Sequence, residues 1–208
     1  MSRRPAIPDS VVLPSRWRRV RCIVLIVGVA VAAVVVDRAL RPPPAVDDQS
    51  RYHDRDFRVV RVVDGDTLDI DIADRDKPWT RIRFWGVDAP EVAKRGRAGA
   101  YFGEEARAFA ERTVAGRTVH VVLSPRKTRG KYGRLLAYVF LERGGVMLNE
   151  LLLERGFAYA DRRFAHHYMD EFRAIEGRAR REGVGLWKDV TLDDMPAWRR
   201  RFEGSDEE

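Results

Sequence analysis

Residues 57–72 alternate apolar and polar positions, with Leu68, Ile70 and Ile72 on one face and Asp69 and Asp71 on the other, the period of a half-buried strand. A break over Asp74–Pro78 separates this stretch from a second strand pattern, Trp79–Val87. Phe102, Ala106, Phe109, Ala110, Thr113 and Val114 then recur at helical spacing, and Gly116 follows as the expected C-cap. Strand patterns return over 117–123 and 135–141, with a polar loop between them. Met147–Arg155 predicts a short helix stopped by Gly156, and 164–181 a longer one with Tyr168, Phe172, Ile175 and Ala179 on one stripe, closed at Gly183. Strands first, with helices entering late, predict an α+β fold in which about three α-helices cover a small β-barrel.

The N-terminus follows a different pattern. Residues 22–36 run for 15 positions without a charge, behind Arg16, Arg18, Arg19 and Arg21 and ahead of Asp37 and Arg38. This asymmetry marks a membrane-targeting segment whose basic flank, residues 1–21, stays on the cytoplasmic side. Spanning helices take about 20 apolar residues and signal-peptide cores about 7–15, so over 22–40 a retained transmembrane anchor and a cleaved signal both stay open. Either puts the remainder outside the cytoplasm, held on the cell membrane or secreted. Residues 41–51 begin Arg-Pro-Pro-Pro, which cannot form a helix and reads as an extended linker. The folded domain is expected over 52–190 and a polar C-terminal tail over 191–208.

Charge sharpens this division. The chain carries 39 Lys+Arg against 32 Asp+Glu, a net +7, of which residues 1–50 contribute +4 through 8 Arg and 4 Asp. The domain is therefore only mildly basic, and a hydrophobic content of 45% excludes a disordered chain. A single cysteine, Cys22, excludes an internal disulfide framework and a multi-cysteine zinc centre. No internal repeat is present, no protein partner is implied, and a monomer is expected.

The densest polar cluster is Asp64-Gly65-Asp66-Thr67, followed by Asp88-Ala89-Pro90-Glu91. Carboxylates at adjacent strand ends, with a turn carbonyl, offer the oxygen ligands that a hard divalent cation takes. Asp66 shares the strand parity of Leu68 and Ile70, so it points toward an apolar face, where a charge is costly unless compensated. Taken alone, Asp-Gly-Asp reads at least as well as a capped turn. Arg83 lies in an otherwise apolar strand five residues before Asp88, and arginine's planar fork suits a phosphoryl group. Gly130-Lys131-Tyr132-Gly133-Arg134 adds a glycine-rich loop with two cations and a phenol, which by itself fits a solvated basic hairpin equally well.

As an ordered set, Asp-Gly-Asp-Thr, Arg-x4-Asp-Ala-Pro-Glu and Lys-Tyr-Gly-Arg resemble the staphylococcal nuclease family over roughly residues 57–188. The resemblance implies a five-stranded OB-type barrel with three helices and a calcium-dependent nuclease acting on DNA, RNA or both. It implies calcium ligation by Asp66, Asp88 and the main chain of Ala89, with Asp64 supporting them from behind. Glu91 matches the general base for the attacking water. Arg83 and Arg134 match the arginines that hold the scissile phosphate, and Lys131 and Tyr132 match contacts to a terminal phosphate of the substrate. The chain departs from the family pattern at Gly130, where an acidic residue is usual, which is expected to loosen the loop. After Gly156 no tyrosine pair aligns for base stacking; Tyr159 is the nearest candidate, and core packing suits it equally.

Adjacent His166 and His167 would point about 100° apart on a helix and grip one metal poorly, and with His53 and His120 they read as surface or cap residues. Trp79, Trp85, Trp187 and Trp198 read as packing residues. The alternatives to a nuclease are a non-catalytic OB-fold module that binds nucleic acid while tethered to the membrane, and a membrane-anchored scaffold.

Overall fold

The computed structural model describes residues 47–124 and 127–203. The membrane-targeting segment expected over 22–40 and most of the linker expected over 41–51 lie outside these residues. Among the described residues no helix is long and apolar enough to cross a membrane.

Five strands close a barrel. They are β1 (Arg55–Asp64), β2 (Thr67–Ile70), β3 (Thr80–Phe84), β5 (Thr118–Leu123) and β6 (Leu135–Phe140), in the order β1-β2-β3-β6-β5. Closure depends on β1 serving two neighbours. Arg55–Arg58 pair with β5, and Val59–Asp64 pair with β2 through two register shifts that bend the strand. β3 and β6 run parallel, while the other neighbours run antiparallel. Inside, Val59, Leu68, Ile70, Ile82, Val121, Leu135 and Val139 are all but inaccessible to solvent. Three helices cover the barrel: α2 (Gly103–Val114) through Ala106, Ala110 and Val114, α3 (Leu148–Glu154) through Leu148 and Leu152, and α4 (Met169–Glu182) through Phe172 and Ile175. This is the OB-type α+β architecture expected from the order of apolar patterns.

Several expected elements differ in detail. The single strand pattern over 57–72 is two strands, because Gly65 and Asp66 turn the chain between them. Asp69, expected on a solvated face, is fully buried, since Arg61 on β1 and Arg81 on β3 close over it with contacts of 2.6 and 2.7 Å. The pattern over 79–87 also divides. Its end, β4 (Val87–Asp88), leaves the barrel to pair with β7 (Tyr159–Ala160), Asp88 lying opposite Tyr159. The long helix begins at Met169 rather than at 164.

The folded unit also extends past both expected boundaries. The short helix α1 (Asp48–Tyr52) is capped by Asp47, and its Asp48 pairs with Arg129 at 2.7 Å. At the other end, a 3₁₀ turn (Gly185–Lys188) leads to α5 (Ala197–Glu203), so the stretch read as a polar tail over 191–208 is packed as far as this helix. Met195 and Trp198 are buried there, and Arg199 is 1% exposed between Glu176 and Glu203. Composition hides this because the apolar residues are few and the arginine is paired inside the protein.

Candidate active site

Two glycines bring the site together. A Cβ at Gly65 would lie 2.7 Å from the Cβ of Ala89 and 2.9 Å from that of Ala106, so only glycine lets the β1–β2 turn press against the segment after β4. A Cβ at Gly103 would lie 2.5 Å from the carbonyl oxygen of Glu91, so α2 can start directly behind Glu91. The turn at Gly65 sets Asp66 where its Oδ2 accepts the Ala89 N–H at 2.6 Å and its Oδ1 accepts the Thr67 hydroxyl at 2.9 Å. β3 aligns Arg83 opposite Thr67, and from there one guanidinium nitrogen reaches Asp66 Oδ1 and the other Asp88 Oδ1. The neighbouring Arg81 is instead committed to Asp69, which separates a structural arginine from one at the site.

Burial pushes the Asp66 carboxyl up to about 6; Arg83 opposes the shift, and the charges of Asp88 and Asp64 add to it. For Arg83 burial works the other way, but Asp66 and Asp88 outweigh it and hold the guanidinium firmly protonated. Asp64 is also raised, first by burial and then by Glu91. Burial likewise favours the neutral form of Glu91, but its ion pair with Lys94 and hydrogen bonding with Asp64 keep the carboxyl below its ordinary range. Lys94 also reaches Asp64 Oδ2 at 3.3 Å. Glu91 is thus maintained as the anion of this group, the form that can accept a proton.

The raised Asp66 carboxyl has a measurable consequence in chelator-treated protein. Between about pH 4 and 6 the folded chain holds a proton that the unfolded chain has released, so this group's contribution to stability is complete below pH 4 and lost as pH rises through about 6. Denaturant titrations at pH 4 and pH 7 should show wild type losing roughly 2 kcal/mol relative to Asp66→Asn over that interval. A constant difference between the two proteins would remove the buried titration.

Arg134, just before β6, presents a second cation. Its guanidinium is pushed below its ordinary value by burial and then by Arg83, and among the described residues it forms no ion pair. Arg83 and Arg134 line one cleft of about 400 Å³ together with Lys127, Lys131 and Arg163, against the single acid Asp161. Lys131 and Tyr132 stand exposed at its edge, Tyr132 at 77%, and the ring lies 5.8 Å from both Lys131 Nζ and the Arg134 guanidinium. The loop is not loosened at Gly130. Its main chain closes a turn through Gly130 N–H to Arg134 and Gly133 N–H to Gly130, and Arg129 ties it to Asp48, Asp74 and the Gly133 carbonyl.

All nine residues singled out in the sequence therefore gather around one cleft and its carboxylate wall. Tyr159, offered for base stacking, is buried edge-on against Trp187 at 5.4 Å and is a packing residue. Among the described residues the open aromatic rings are Tyr132 and Phe164, the latter 47% exposed and stacked on Trp85. His120 is buried, not on the surface, held between Asp56 at 2.7 Å and Asp54 at 3.1 Å. His166 is partly buried beneath Gly86. Sequence reasoning missed Lys94, Arg163 and Trp198. Arg163 Nη2 lies 3.2 Å from Asp88 Oδ1, and Trp198 Nε1–H donates to Asp88 Oδ2 at 2.7 Å. The pairing of Asp161 with Arg163 two residues later is a local signal; the reach of Trp198 across 110 positions has none.

The donor set suits a hard divalent ion: oxygen only, with Asp66 and Asp88 close enough to share one guanidinium. Among the described residues no group of three or more His, Cys, Asp or Glu is arranged to hold a metal, so main-chain carbonyl and water would have to complete the shell. Arg83 is the cation between the two carboxylates, and an ion held by both would compete with it for the same oxygens.

A family model described as staphylococcal nuclease homologue matches residues 81–189. An uncharacterized protein of Methanocaldococcus jannaschii is 34% identical over 165 residues, covering 68% of this chain and 74% of the relative. Thermonuclease of Staphylococcus hyicus is 32% identical over 139 residues (66% of this chain, 79% of the relative). Thermonuclease of Staphylococcus intermedius is 30% identical over 169 residues (79% and 95%).

Proposed function

Because this chain belongs to the staphylococcal nuclease family, we propose that it is a calcium-dependent nuclease hydrolysing phosphodiester bonds of DNA, RNA or both. The observation that carries this reading is Arg134, a partly buried cation that forms no ion pair among the described residues, in one cleft with Arg83 and beside the carboxylate wall. Such a cleft attracts a phosphodiester and not a neutral ligand.

In this reading Asp66, Asp88 and the Ala89 main chain hold the ion, with Asp64 behind them. Bound calcium supplies charge neutralisation and acidifies a water. Glu91, kept anionic by Lys94, takes the proton of the attacking water as its oxygen bonds to phosphorus and the bond to the leaving oxygen breaks on the opposite side. Arg83 and Arg134, both lining the cleft, meet the charge that develops on the equatorial oxygens. Lys131 and Tyr132, at the rim, contact a further phosphate of the strand.

The uncharged run 22–36 and its arginine flank support a second part of the proposal, that the nuclease domain lies outside the cytoplasm on a retained anchor or after signal cleavage. Protease added to intact cells should digest the domain or find it released; full protection would place it inside. The activity is tested by incubating the purified chain with single-stranded DNA and RNA in calcium and in excess chelator. Cleavage in calcium alone is expected. Retention of the strand without cleavage in either condition would instead identify an OB-fold binding module.

A further inference from the structure

The segment from Val190 to Glu203 lies beyond the stretch matched by the family model, yet it reaches the carboxylate wall of the site. Its helix, α5, is anchored by a buried ion pair. Arg199 Nη1 binds Glu176 Oε2 on α4 at 2.9 Å, and Glu176 Oε1 accepts the Ala160 N–H of β7 at 2.8 Å. β7 in turn pairs with β4, the strand that ends in Asp88. A second link runs directly from α5 to the same residue, because the indole of Trp198 donates to Asp88 Oδ2 at 2.7 Å. The Arg163 guanidinium lies over the Trp198 ring at 4.6 Å and contacts Asp88 Oδ1 at 3.2 Å, and Tyr159 makes a T-shaped contact with the same ring at 6.5 Å. Trp198 is 6% exposed, so little water competes for its N–H.

This arrangement assigns the two oxygens of Asp88 different surroundings. Oδ1 turns toward the Arg83 guanidinium, on which Asp66 Oδ1 also converges, and Oδ2 is tied back to the indole. We propose that Trp198 is a positioning residue for the nuclease site: its N–H fixes the rotation of the Asp88 carboxylate so that Oδ1 faces Asp66 as one half of the calcium-binding pair. The C-terminal helix is then a working part of the site and not an appendage. The inference rests on the reading of Asp66 and Asp88 as calcium ligands. Supporting groups of this kind typically change metal affinity by about 10–100-fold when removed.

The test compares the full-length chain with Trp198→Phe, which keeps a ring for Arg163 and Tyr159 but loses the N–H. Calcium affinity measured by calorimetry should fall about 10–100-fold, with kcat at saturating calcium near wild type and the variant still folded in chelator, at a lower unfolding midpoint. Equal affinity in the two proteins would overturn the proposal. A readout that needs no variant to fold is the indole N–H resonance of Trp198 in the wild-type chain, expected to shift as calcium is added; a resonance that stays in place while calcium binds would also overturn it. Wild type that binds no calcium at all would overturn the calcium reading itself, and this inference with it.

Discussion

Arg134→Ala is expected to slow cleavage of single-stranded DNA by about 10²- to 10³-fold while leaving folding stability within about 0.5 kcal/mol of wild type. Its guanidinium forms no ion pair among the described residues and is disfavoured by burial and by Arg83, so its removal leaves no buried carboxylate exposed as an unpaired charge. Arg83→Ala should behave differently although it lines the same cleft. Arg83 neutralises Asp66, which is wholly buried, and Asp88, and removing one partner of a buried pair typically costs about 3–5 kcal/mol. That variant should lose activity and stability together. Denaturant unfolding beside steady-state kinetics separates the two cases, and equal stability losses would show that Arg134 is a structural cation after all.

Glu91→Ala carries the other large effect, a loss of about 10²- to 10⁴-fold in turnover, the usual range for a positioned general base. The Glu91 side chain is half exposed and bonded to Lys94, itself half exposed, so the fold should survive the change. Removal of Glu91 also frees Lys94 to pair with Asp64 alone, 3.3 Å away. Substrate affinity should therefore hold or rise slightly as one negative charge leaves the cleft. A variant with normal turnover would assign the proton transfer to another group, and one with normal turnover but weak binding would recast Glu91 as a structural residue.

The barrel and its site were legible in the sequence to different depths, for physical reasons that can be named. Alternation along 57–72 and helical spacing over 102–114 report which faces are buried, so the strands, helices and α+β class follow from them. The turn at Gly65–Asp66 inside the first pattern is not periodic, and it is the feature that sets Asp66 against Ala89. Asp69 shows the limit of parity reasoning, because a polar residue can be buried when arginines on two adjacent strands reach over it. The three motifs show which side chains could act together, since each carries its own chemistry in a few consecutive residues. Lys94 and Trp198 carry no such local mark, and Arg163 only its pairing with Asp161 two residues before it; the three join the site through the loop before α2, the approach to α4 and the packing of α5. Trp198 reads as a packing residue and does pack; its N–H separates it from Trp187, whose indole nitrogen is buried without a hydrogen-bond partner among the described residues.

Binding and cleavage of one end-labelled single-stranded oligonucleotide, followed in parallel for the wild-type chain and Glu91→Ala in calcium and in excess chelator, test the nuclease site most directly. Wild type should cleave in calcium and stop in chelator, while Glu91→Ala binds the strand as wild type does and leaves it intact. Cleavage that persists equally in the variant and in chelator, or binding by wild type with no cleavage in calcium, would contradict it.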